Sequence, residues 1–157
     1  MKLKNILVVL SLFAIVLACS SSADSPEEAR EYLLAVPRWG ISEVYVNDAL
    51  NFKDGKEVAN FGGVSFSRYM ESVQFRPDGA FVGQYAGADT PTMLHWEIVP
   101  EKEHIVVTAA DTVQDARSGW VITPLNVHKD SFEMTTETAA FDYPRITRIR
   151  LKFEAKE

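Results

Sequence analysis

From Trp39 onward apolar and polar side chains alternate with a period of two, and that rhythm restricts most of the chain to β structure. It is clearest near the C-terminus. There Thr147, Ile149, Leu151 and Phe153 take one side of an extended run, and Arg148, Arg150, Lys152 and Glu154 take the other. A second run sets Leu94, Trp96 and Ile98 against His95 and Glu97. One oily and one charged face per strand describes a sheet with water outside and a packed or ligand-filled interior. The charged outer face argues against a transmembrane barrel, whose lipid side must be apolar.

Turn residues divide this region into strands expected at 39–47, 69–76, 80–86, 93–99, 104–109, 119–125, 131–137 and 145–154. The clearest connection is Arg76-Pro77-Asp78-Gly79, where proline presets φ and glycine can turn left-handed. Pro100-Glu101-Lys102-Glu103 and His128-Lys129-Asp130 read as further turns. The stretch 48–67, with Asp54-Gly55 and Gly62-Gly63, is compatible with a lid, an extra hairpin or a loop. Ahead of the strands, Ser25-Pro26-Glu27-Glu28 is a helix start: an N-cap, a proline at the first position and a glutamate completing a capping box. The helix should run over 26–35, turn Ala29, Tyr32, Leu33 and Val36 inward, and stop before Pro37. The fold class expected is all-β: an eight-stranded antiparallel up-and-down barrel with a short N-terminal helix, occupying 26–157. A seven- or eight-strand sandwich is the competing arrangement.

The first residues follow another logic. Lys2 and Lys4 precede a run, 6–18, that is apolar apart from Ser11, and the run is too short to span a bilayer. It closes on Val16-Leu17-Ala18-Cys19, which holds the only cysteine of the 157 residues. This tetrad resembles the lipobox of bacterial lipoproteins. The resemblance implies a signal peptide over 1–18, lipidation of Cys19 and a polar tether over 19–25. Serine at 20, rather than aspartate, resembles the lipoproteins released to the outer membrane. Several acyl chains (palmitate, for example), at about 0.8 kcal/mol per buried methylene, hold a protein on a membrane durably. Loss of Lys2 and Lys4 leaves fourteen of the sixteen basic residues against twenty-two acidic ones, a charge of −8 with histidine neutral. Nucleic acid is therefore not an expected partner.

The barrel region also carries a family pattern. Trp39, the hairpin Phe75-Arg76-Pro77-Asp78-Gly79-Ala80-Phe81, Trp96 and Ile122-Thr123-Pro124-Leu125 appear in order before a basic-apolar final strand. This layout resembles the lipocalin-like domains of bacterial lipoproteins, with an early Trp, a Phe-x-x-Asp-Gly-x-Phe hairpin, a later Trp and an Ile-x-x-Leu. Lipocalins proper have Gly-x-Trp where this chain has Pro37-Arg38-Trp39. The resemblance implies a barrel over about 36–153, and a late arginine, Arg148 or Arg150, packed on Trp39.

Constellations for chemistry are sparse. His95, His104 and His128 have no second histidine at helical or strand spacing, so no metal or other cofactor is called for. His95 and Glu97 share the face assigned to water. The basic stripe Arg145, Arg148, Arg150 and Lys152 reads either as an anionic-headgroup site or as a solvated strand face. No nucleophile, base and orienter can be named together, so an enzyme is not expected. The aromatic set is richer: Trp39, Phe75, Phe81, Tyr85, Trp96, Trp120 and Phe132 should mostly point inward. They either fill the barrel or line a cup near the end away from the helix, holding a small apolar or amphipathic ligand. The function expected is ligand binding by a lipid-anchored protein of the cell envelope. The alternative is a solid barrel whose long loops, 48–67 and 110–118, engage a partner protein.

Overall fold

The computed structural model describes residues 21–59, 69–109, 119–141 and 146–156. The apolar leader, Cys19, loop 110–118, Arg145 and residues 60–67 of the 48–67 stretch lie outside them. Among the described residues one α-helix, α1 (Pro26–Ala35), leads into ten strands: β1 (Trp39–Val46), β2 (Ala49–Lys53), β3 (Lys56–Glu57), β4 (Met70–Phe75), β5 (Ala80–Tyr85), β6 (Thr92–Val99), β7 (His104–Thr108), β8 (Trp120–Ile122), β9 (Ser131–Phe141) and β10 (Ile146–Ala155). Eight of them, β1 and β4 to β10, pair in sequence as an antiparallel meander. The ring closes where β10 lies along β1, from Trp39 opposite Ala155 to Val46 opposite Ile149. The expected barrel is therefore the observed one, and the sandwich is excluded.

Helix α1 forms for the reasons its sequence suggests. The Ser25 hydroxyl accepts the Glu28 amide at 3.2 Å, and the Glu28 carboxylate accepts the Asp24 amide at 2.9 Å. Val36 turns extended ahead of Pro37. Ala29 and Leu33 are buried, and the helix plugs the end of the barrel where β1 begins. There the Trp39 indole N–H donates to the Leu33 carbonyl at 3.1 Å. The chain is tied down even earlier. Ala23 is fully buried, and its amide donates to the Val127 carbonyl at 2.8 Å, so the last residues of the expected tether belong to the domain.

Two expectations need correcting, one read from alternation and one implied by the resemblance. Ile146, not Thr147, is buried at the start of β10, because the register slips between Ile146 and Arg148. A bulge of this kind adds a residue and inverts the in–out phase before it. Asn47 pins the slip: its side-chain oxygen accepts the Thr147 amide at 2.9 Å, the Thr147 hydroxyl at 3.1 Å and the Arg148 amide at 3.2 Å. The late arginines also stay away from Trp39. Ile149, Leu151 and Phe153 take the inner face, so Arg150 points outward and stacks over the Tyr45 ring at 3.9 Å. Strand β8 ends at Ile122, three residues short of expectation. Pro124 has no N–H for the ladder and starts a single 3₁₀ turn over Pro124–Asn126 instead.

Candidate ligand-binding cleft

The described part of the 48–67 stretch, residues 48–59, forms a hairpin with consequences for the barrel wall. Asn47 and Asp48 both take positive φ, 49° and 66°, making a two-residue turn from β1 into β2. Asp54 and Gly55 do the same, at 48° and 81°, between β2 and β3. Strand β1 therefore has two neighbours along one edge. Near α1, Trp39 and Gly40 pair with Val73 and Ser72 of β4. From Glu43 to Val46 the same edge pairs with β2. Strand β4 is pushed away there, and the wall splits.

The split is a cleft of about 380 Å³. Ile41, Val44 and Phe52 line it from the β1–β2 side, and Tyr69 and Ala86 from the other. Gly55, Glu57 and Glu71 complete the lining, and both glutamates are exposed. An adjoining hollow shares Ile41, Phe52, Gly55 and Glu71, and leads toward Arg38, Asp54 and Lys156 near α1. An apolar bed with charges of both signs along its margin suits a small amphipathic molecule, and its volume falls within the range of small-ligand pockets. Burial pushes the Tyr69 hydroxyl above its ordinary pKa, so it stays protonated and able to donate a hydrogen bond.

None of the seven aromatics singled out in the sequence lines this cleft. Trp39, Phe75, Phe81, Trp96 and Phe132 pack together in the half of the barrel next to α1. Phe75 meets Phe81, Trp96 and Phe132 edge-on at 5.1, 5.4 and 5.4 Å. Phe132 also meets Trp39 edge-on at 5.1 Å and stacks on Phe153 at 4.9 Å. Such offset and edge-on contacts fill space densely. Tyr85 and Trp120 stand at the far end and are half-buried.

The Phe75–Phe81 hairpin is locked from within. Gly79 turns at φ +84°, the Asp78 carboxylate accepts the Ala80 amide at 3.0 Å, and the Trp96 indole donates to the Arg76 carbonyl at 3.0 Å. His95 and Glu97 sit on the outer face of β6, 3.9 Å apart and about half exposed. Of the basic stripe, Arg150 donates from Nη1 to both carboxylate oxygens of Glu133, and Arg148 does the same to Asp48. Among the described residues no group of three or more His, Cys, Asp or Glu side chains is placed to hold a metal ion.

The cleft residues Ile41, Phe52 and Tyr69 escaped the sequence reading. The available signals were the two turn pairs, Asn47-Asp48 and Asp54-Gly55, which imply a strand between them. In class the molecule is a small up-and-down β-barrel with a split wall. The chain has no significant match among protein-family models, curated proteins or solved structures.

Proposed function

We propose that this is a lipid-anchored protein of the bacterial cell envelope, held at the outer membrane through Cys19, that binds a small amphipathic molecule in the split wall of a lipocalin-like barrel. The observation that carries the reading is the cleft between β2 and β4, where half-buried Ile41 and Phe52 stand over the buried Val44, beside charged side chains. The lipobox-like Val16-Leu17-Ala18-Cys19 supports the anchor. The packed aromatic half of the barrel favours a second reading, a solid interaction module without a ligand.

Titration with a neutral amphipathic fluorophore such as N-phenyl-1-naphthylamine separates the two readings. Saturable binding by the native protein, abolished by Ile41→Trp with thermal stability retained, is the expected result. Binding that ignores the substitution, or none at all, would favour the interaction module. Intact mass of the membrane-extracted chain tests the anchor independently: acyl chains on Cys19 are expected, and a free thiol there would remove it.

A further inference from the structure

Resting on the reading of Cys19 as the lipid-bearing residue, we infer that the barrel stands on the bilayer with its α1-plugged end down and its far end outward. The reason is the length of free chain. Ala23 is fully buried and hydrogen-bonded to Val127, so Ser20, Ser21 and Ser22 alone separate the lipidated residue from the folded domain. The four steps from Cys19 to Ala23 reach at most about 14 Å even when fully extended. Strand β10 is ten residues long, which at usual rise and tilt makes the barrel about 25 Å tall. The strap is shorter than the barrel, so it cannot let the molecule tumble end over end above the surface.

The face brought down has a fitting shape. Leu125, 65% exposed, is among the most exposed large apolar side chains of the described residues and stands beside the point where the chain enters. With Pro26, Pro100 and Pro124 it borders a shallow hollow that also takes in Asp24, Glu27 and Glu103. Proline and leucine tolerate the headgroup region, while the carboxylates oppose an anionic surface. The partner that fits is a zwitterionic phospholipid surface.

The test uses the full lipidated chain in phosphatidylcholine vesicles carrying a headgroup acceptor. A donor dye is placed on Leu125→Cys at the plugged end or on Ala88→Cys at the far end; Cys19, as a thioether, does not react with it. Severalfold greater energy transfer from position 125 is expected, and inserting about ten Gly/Ser residues between Ser22 and Ala23 should erase the difference. Equal transfer from both positions in a vesicle-bound native chain would overturn the orientation while leaving the anchor intact. A chain that fails to float with vesicles and labels at two thiols would overturn the anchor itself, and the orientation with it.

Discussion

Single residues show how closely the hairpins are specified. Gly79 sits at φ +84°, and a methyl group there would approach His95 Cε1 to 2.8 Å. Gly79→Ala should therefore cost about 1 kcal/mol or more, read as a lowered urea midpoint. Glu43 makes a different kind of contribution. The Tyr45 hydroxyl donates to it at 2.6 Å and Lys53 at 2.9 Å, and these bonds, Tyr45's first, hold its carboxyl below the ordinary 4.5. A depressed carboxylate stabilises the fold in full above its ordinary pKa, and that share is lost as pH falls through the folded value. The native protein should consequently lose more stability between neutral and strongly acidic pH than Glu43→Gln. Comparing the two isolates this group from Glu28, whose carboxyl is lowered by the Asp24 amide and then Tyr32. Parallel losses in the two proteins would refute the assignment.

Strands and turns differ in how far their pairing is local. Asn47 holds a left-handed turn and three donors from the start of β10, a hundred residues away. Asn47→Ala should destabilise by about 1 kcal/mol and speed hydrogen exchange at the Thr147 amide; unchanged exchange would show that the bulge stands without it. The main strands were legible in the sequence because inward and outward side chains alternate over much of their length, as Leu94 to Ile98 do. The Phe75–Phe81 hairpin was legible because Pro77, Asp78 and Gly79 each suit one position of a tight turn. The cleft was not. It depends on β2 rather than β4 taking the edge of β1 beyond Gly40, a competition between distant segments that no local pattern records. The outward face of Arg150 was legible in the alternation of β10, whereas its packing on Trp39 was implied by the family resemblance alone; its actual neighbour, Tyr45, is set by the register of β10 on β1.

The whole molecule is solid at one end and divided at the other. Phe132 is fully buried and joins Trp39, Phe75 and Phe153, so it links the strands on which the barrel closes. Phe132→Ala should cost about 3–5 kcal/mol in global stability, whereas Met93→Ala, at a site 53% exposed, should change it by less than about 0.5. Denaturant titration checks both, and similar shifts would mean that the aromatic cluster does not dominate the core.

The divided wall also bears on how molecules behave when crowded. A sheet with a gap offers free backbone to its neighbours, which is the usual route to fibrils. Here β3 is only two residues long, Lys56 and Glu57, and Glu71 stands on β4 across the opening. Among the described residues, each margin of the gap is brief and charged. Barrels at high concentration can therefore meet at the gap without stitching themselves edge to edge.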